Sequence, residues 1–457
     1  MELDREAFEP LRTQLETGIR AAIRTRRLTS GDSLPATRTL ARDLGVSRGV
    51  VQAAYEQLIA EGYLLGRIGS GTIVAWSPVS APAEAVDPGP RISRALIADL
   101  RPNRPNLSHF PRAAWLRASR EAVNQLPVHD LGYGAPTGLL ALRTTLAQYL
   151  GRVRGAVVDP GNIVICSGYA EGLQLVLDAL VLDGRLRLAV EDPGPDREER
   201  LRIAATGVSI TSVPVDAEGI RTDLLAASAA DAVLVTPAHQ SPTGAPLSGC
   251  RRRELLEWVR ATDGLILEDD YDSEFRYDRQ PVRSIQGMDP HRTFLLGTAS
   301  KALAPGLRLG WIVVPDAWVG AIAQARRRRN RGLSSLEQAT LSTFIRSGSF
   351  DTHLRAMRRL NSQSRAALLT ALRRHVPDAA PMGVPAGLSL LAHLPRTIDE
   401  GALIREGLRR GLLLQGWKDH FASGHAPTPA LVLGFAAEPT TRINAGVAAL
   451  GRLVEEC

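Results

Sequence analysis

Of the 55 lysine and arginine residues in this chain of 457, only Lys301 and Lys418 are lysines. Arginine can stand in for lysine as surface charge, but it stays protonated and cannot serve as an amine nucleophile. Amine chemistry is therefore confined to two positions. Lys301 follows the apolar run "TFLLGT", with Thr298 and Ser300 just before it and Arg308 seven residues after it. Upstream, "LILED" ends on Asp269, shortly before Tyr271, and "VLVTP" leads into His239. An amine, a carboxylate, a phenol, hydroxyls and a planar guanidinium would thus follow the ends of three apolar runs.

Pyridoxal 5'-phosphate (PLP) needs such a set. A lysine amine forms its Schiff base, a carboxylate keeps the pyridine nitrogen protonated so that the ring acts as an electron sink, and cations with backbone N–H groups hold the phosphate. Lys301 supplies the amine and Asp269 the carboxylate. Tyr271 can hydrogen-bond the ring oxygen, and Arg308 can clamp the phosphate with help from the Thr298 hydroxyl. The segment "SGYAEGLQLVL" puts Gly168, Tyr169 and Ala170 at a helix start, where N–H groups and the helix dipole favour a dianion. His239 either touches the ring oxygen or is a satisfied structural histidine. Lys418, in "GWKDHF", reads as an exposed side chain, and Cys166 as a small buried one. The run "RRRRNR" (Arg326 to Arg331) reads as a solvated helix face in a chain this rich in arginine.

The elements that must position these residues follow from pattern. "RLAVED", "VSITSVPV", "AVLVTP", "LILEDD", "TFLLGT" and "LGWIVV" are strand-like and separated by helix-sized intervals. That alternation predicts an α/β domain with a mostly parallel sheet, in which ligands bind beyond the carboxyl ends of the strands.

Ahead of it lies a different module. From Pro10 a helix carries Leu11, Leu15, Ile19 and Ile23 on one face, and a Gly31-Asp32 turn ends it. Thr37 to Leu44 forms a second helix capped by Gly45, and Ser47 caps a third whose Val51, Ala54 and Leu58 face inward while Arg48 and Gln52 face out. "GYLLGRIGSGTIVA" then reads as a hairpin about Gly69, Ser70 and Gly71, completing a winged helix-turn-helix. Between Arg12 and Arg67 nine arginines face five acids, a modest phosphate-binding footprint. The Pro-, Ala- and Ser-rich stretch that follows is a semi-stiff linker. The expected organisation is residues 1–76 for the winged helix, 77–106 for the linker and 107–457 for the large domain, its smaller C-terminal α+β part at about 332–457.

Composition sets limits. Hydrophobic content of 44% and charged content of 23% suit a globular chain, and no apolar stretch approaches the roughly 20 residues of a membrane span. No secretory signal opens it and its three cysteines have neither disulfide nor metal spacing, so the cytoplasm is expected. A net charge of +7 and a pI near 9.7 agree with nucleic-acid binding without deciding it.

The stretch "LPATRTLARDLGVSRGVVQAAYEQLIAEGYL" resembles the DNA-binding domain of the GntR family. "YGAPTG", "TPAHQSPTG", "EDDYDSEFRY" and "GTASKALAPGLRLGW" resemble the fold-type-I aminotransferases, and the fused layout is that of the MocR/GabR subfamily of GntR regulators. The resemblance implies a PLP-dependent, DNA-binding transcription regulator. It also implies a homodimer, with a small-molecule effector or PLP itself as signal; the alternative is an active aminotransferase with a fused DNA-binding domain. It assigns DNA contact to Arg38, Ser47, Arg48, Gln52, Arg67 and Gly69, and takes Tyr133 to the partner subunit's cofactor phosphate. Arg197 matches a family arginine near the effector. Two positions depart from the pattern: Pro195 replaces a stacking tyrosine, and Val432 replaces the arginine that forks onto an amino-acid carboxylate. A valine cannot pair with a carboxylate, so an ordinary amino-acid effector is disfavoured.

Overall fold

The structure is a computed structural model that describes residues 3–67, 71–75, 96–278, 282–329 and 332–456. It divides into two compact units, residues 1–93 and 94–457.

In the first unit α1 (Leu11–Arg24), α2 (Thr37–Leu44) and α3 (Arg48–Ala60) bury the predicted apolar faces. Leu15, Ile19 and Ile23 meet Val51, Ala54, Tyr55 and Leu58. Gly45, at φ +63°, ends α2 in the left-handed conformation that glycine adopts without steric cost, and Ser47 caps α3. The predicted hairpin forms from β2 (Leu64–Arg67) and β3 (Gly71–Val74), and β1 (Ser33–Leu34) adds to β3 on its other side. The two residues of β1 are too few to carry an alternating pattern, which hid this strand from the sequence. The wing tip, with Gly69, and the side chain of Arg67 lie outside the described residues.

The large unit begins earlier than expected. Strand β4 (Ala98–Asp99) carries fully buried Ala98, Leu100 behind it is fully buried too, and the Asp99 backbone N–H donates to Glu438. Residues 98–106 therefore belong to the large unit and not to a linker. The eight-stranded sheet combines β5 (Ile163–Cys166), β6 (Arg187–Asp192), β7 (Ser209–Asp216), β8 (Gly219–Ile220), β9 (Ala232–Val235), β10 (Leu265–Asp270), β11 (Thr293–Thr298) and β12 (Gly310–Val313). Its order is β5-β12-β11-β10-β9-β6-β7-β8, with β12 antiparallel to both neighbours and β8 antiparallel to β7. Every residue of β5, β9, β11 and β12 is buried, as strands covered on both faces must be.

Toward the C-terminus, β13 (Ala380–Met382), β14 (Ser389–His393) and β16 (Ala430–Gly434) form an antiparallel sheet, while β15 (Leu412–Leu413) pairs with β4. One apolar cluster runs from Leu146 and Trp311 through Leu390 and Leu433, so this region shares its core with the rest of the unit. The arginine run is also less solvated than its composition suggested. Arg326 is completely buried, bonded to Glu171 and the Ile165 carbonyl, and Arg329 pairs with Asp178.

Burial pushes the Glu191, Glu268 and Glu274 carboxyls up to about 7 from an ordinary 4.5. Between those values the folded chain binds more protons than the unfolded chain, so stability falls as pH rises through this window. The urea midpoint is expected to be higher at about pH 5 than at about pH 8. A higher midpoint at the alkaline end would show that these carboxyls ionise freely in the fold.

Candidate functional site

Beyond the ends of β6, β9, β10 and β11 the large unit encloses a cavity of about 450 Å³. Lys301, Asp269, Tyr271, Thr298, Arg308, Gly168, Tyr169 and Ala170 all line it, although they come from three separate stretches of chain.

Lys301 sits in the turn after β11, and its Nζ donates to the Asn103 carbonyl at 2.7 Å. Burial lowers its pKa, against the opposing pull of Asp269, Asp272 and Glu199, which favours the free amine a nucleophile requires. Asp269 lies near the end of β10, and its Oδ1 is buried with no hydrogen-bond partner. Burial, then the neighbouring Glu199, Asp270 and Asp272, hold its pKa well above the usual carboxylate value. A carboxyl in that setting ionises readily only beside a cation, and a protonated ring nitrogen would be one.

The next residue faces the other way, as strand geometry requires. Asp270 takes two bonds from the Arg154 guanidinium at 2.8 and 2.9 Å, with both side chains buried, and so pins the strand end that presents Asp269.

Gly168 caps the helix Tyr169–Leu182 with φ +84°. A Cβ built on it would lie 3.9 Å from each of Arg308 Nη1, Ser300 Oγ and Thr298 Oγ1. A guanidinium, two hydroxyls and a helix N-terminus thus converge on one point, a cradle suited to phosphate. The approach depends on sheet order, because β5, β12 and β11 are neighbours and Gly310 of β12 leaves room where a Cβ would sit 2.7 Å from Gly168 Cα. Arg308 is further oriented by the 3.2 Å bond from its Nε to Ser167. The unpaired Asp269 oxygen and this cradle, lining one cavity with Lys301, fit PLP.

Three assigned residues do not join the cavity. His239 is buried behind Tyr271, its Nδ1 2.9 Å from Asp272 and 3.2 Å from the Tyr271 hydroxyl, which itself donates to the His239 carbonyl at 3.1 Å. It orients Tyr271 and does not line the cavity. Arg197 is exposed as the first residue of the helix Arg197–Ala204, whereas Asp196 and Glu199 beside it line the cavity. Tyr133 is 76% exposed and lies outside this chain's cavity. Val432 packs with Leu391, Trp417 and Ala430, and Pro195 lines the cavity wall.

The structure adds Asn103, Glu191, Glu199, Ser300, Gln415 and His420 to the lining. Of these, Ser300 was visible as a neighbour of the lysine. His420 carried no sequence signal, since its hydrogen-bond partner Gly194 is 226 positions away.

In the first unit Arg38, Ser47, Arg48 and Gln52 are all exposed, with Arg48 and Gln52 in the first turns of α3. Arg20 pairs with Glu61 at 2.7 Å and with Glu16, and Arg12 pairs with Glu16, so these two arginines serve the fold.

Residues 11–74 match the family model of bacterial regulatory proteins of the gntR family, and residues 101–419 match that of aminotransferase class I and II. The chain is 33% identical over 430 residues to the HTH-type pyridoxine biosynthesis transcriptional regulator PdxR of Corynebacterium glutamicum, covering 93% of this chain and 91% of that protein. It is 31% identical over 469 residues to the probable rhizopine catabolism regulatory protein MocR of Rhizobium meliloti, covering 98% and 94%. Kynurenine aminotransferase of Pyrococcus horikoshii shares its fold, with a TM-score of 0.72 at 24% identity over 80% of this chain and 92% of that one.

Proposed function

The chain belongs to the gntR family of bacterial regulatory proteins, in the form fused to a class I and II aminotransferase domain, and from that membership we propose a transcription regulator that holds PLP and reads its own cofactor pocket. The DNA-binding role follows from the family and from the exposed start of α3. The observation that carries the cofactor reading is the joint placement of Lys301, the unpaired Asp269 oxygen and the Gly168 cradle around one cavity. Lys301 would hold the cofactor, Asp269 its ring nitrogen, Tyr271 its ring oxygen, and Gly168, Thr298, Ser300 and Arg308 its phosphate. PLP, when bound, supplies an electron-withdrawing ring and an aldehyde reactive toward amines.

A homodimer fits this reading. Leu107, Leu116, Val123, Val128, Leu131 and Leu140 are all exposed, a clustering in sequence that argues for a covering partner, and Tyr133 lies among them. Action on DNA suits a cytoplasmic protein, and among the described residues no helix is long and apolar enough to cross a membrane. A relative named for pyridoxine biosynthesis suits a sensor of PLP itself, and one named for rhizopine catabolism suits a small effector. Coupling in either case requires that ligand and DNA favour the same arrangement of the chain.

The test begins with duplexes selected from a random pool by the wild-type protein. Arg48→Ala is expected to weaken binding to the selected duplex by about 1–3 kcal/mol, and loading the wild-type protein with PLP to change its affinity. Equal affinity with and without PLP, on protein shown to carry the cofactor, would remove the sensing role. Rapid exchange of amino groups between an amino acid and a keto acid would favour a working aminotransferase.

A further inference from the structure

Part of the cavity wall is made by two loops that meet, one carrying Gly194, Pro195 and Asp196 and the other Gln415 and His420. His420 and Gly194 hold each other twice. The Gly194 N–H donates to the His420 carbonyl at 3.0 Å, and His420 Nδ1 lies 2.7 Å from the Gly194 carbonyl. Gly194 cannot be larger, because a Cβ there would sit 2.0 Å from the Glu191 carbonyl oxygen. The Arg200 guanidinium ties the same loops by bonding the carbonyls of Asp419 and Phe421, each at 3.0 Å.

This clamp fixes the tautomer of the His420 ring. A carbonyl only accepts, so Nδ1 of His420 must carry the proton and donate it. The ring is 7% exposed, and burial lowers its pKa despite the nearby Asp196 and Asp419, which keeps it neutral. Its Nε2 is then a bare acceptor, buried and without a partner. Asn103, whose carbonyl accepts from Lys301 Nζ, stands at φ +59°, and its Oδ1 is likewise buried without a partner. Asp196 and Glu199 add carboxyl oxygens to the same lining, while Gln415 contributes an amide able to act either way.

The cations among the described lining residues are Lys301 and Arg308, and the reading above commits both to the cofactor. A carboxylate entering this wall would meet lone pairs, and Val432, where an arginine would have paired it, is turned into an apolar cluster. A ligand with N–H and O–H groups would instead give the orphaned acceptors their donors.

We infer that the cavity binds, beside the cofactor, a small amine that bears hydroxyl groups and no carboxylate, with His420 Nε2 and Asn103 Oδ1 as the acceptors that select it. The inference rests on the reading of the cavity as a PLP site.

The test is calorimetric titration of PLP-loaded protein with a matched pair, 3-amino-1-propanol and 3-aminopropanoate, which share an amine and differ in hydroxyl against carboxylate. The amino alcohol is expected to bind about tenfold or more tightly than the amino acid, and His420→Phe and Asn103→Gly each to weaken the amino alcohol by about tenfold. Asn103→Gly is included because glycine adopts the left-handed backbone at no cost and removes only the amide. The PLP absorption of each variant reports whether its pocket has folded. Tighter or equal binding of the amino acid, amino-alcohol affinity unchanged in both variants, or no heat from either probe at millimolar concentration would overturn the inference. Failure of the wild-type protein to take up PLP would instead overturn the cofactor reading beneath it.

Discussion

Lys301→Ala is expected to abolish the visible absorption that PLP acquires when linked to a protein amine, while Lys418→Ala keeps it. The contrast is unusually clean in this chain, because these are its only two lysines. Lys418 is exposed, outside the cavity, whereas Lys301 lines it and has its ammonium form disfavoured by burial. No arginine can substitute, since a guanidinium does not lose its proton under these conditions. The PLP-dependent change in DNA affinity should vanish with the absorption. Wild-type absorption in Lys301→Ala would refute the covalent role and leave PLP, if present, held by its phosphate alone. Asp269→Asn would complement this result by removing the charge offered to the ring nitrogen while keeping the shape.

Asp270→Ala is expected to destabilise the large unit by about 3–5 kcal/mol, read from urea unfolding, because it leaves the buried Arg154 guanidinium without its bidentate partner. Arg154 also bonds the Val282 carbonyl, and Glu268 and Glu274 are close enough to act on it, but neither provides the fork-to-fork geometry. Replacing both partners with apolar residues, Arg154→Met with Asp270→Leu, should recover much of the loss, since the pair is expensive to break and cheap to omit. A loss below about 1 kcal/mol in Asp270→Ala would mean that water reaches Arg154 and that the strand end is not held this way. The consequence for function is local, since Asp270 shares a peptide bond with Asp269 and a shift of that strand end would displace the ring-nitrogen contact.

Much of the chemistry could be read from the chain because it is carried by strand ends. A strand offers alternate residues to one face, and the residues just beyond its end emerge at the rim of the sheet. The runs before His239, Asp269 and Lys301 form β9, β10 and β11, which are adjacent in the sheet. The winged helix was legible for a similar reason, since caps at Gly45 and Ser47 and the apolar period of α1 and α3 are local signals. Helical residues near the cavity were harder to place. Arg197 and Glu199 are two positions apart, which on a helix of 3.6 residues per turn puts them roughly 200° apart. A chain segment therefore points one of them inward and the other to solvent, and its sequence does not say which.

The rarity of lysine, the strand-end chemistry and the helix-turn-helix were thus determined by the sequence alone, because each depends on residue type and short-range spacing. Only the tertiary structure decided that β4 belongs to the large unit, that His239 stands behind Tyr271, and that His420 closes onto Gly194 from 226 positions away. Those outcomes depend on which distant segments pack together, and packing is settled by the shape of the whole core, to which no short stretch of sequence has access.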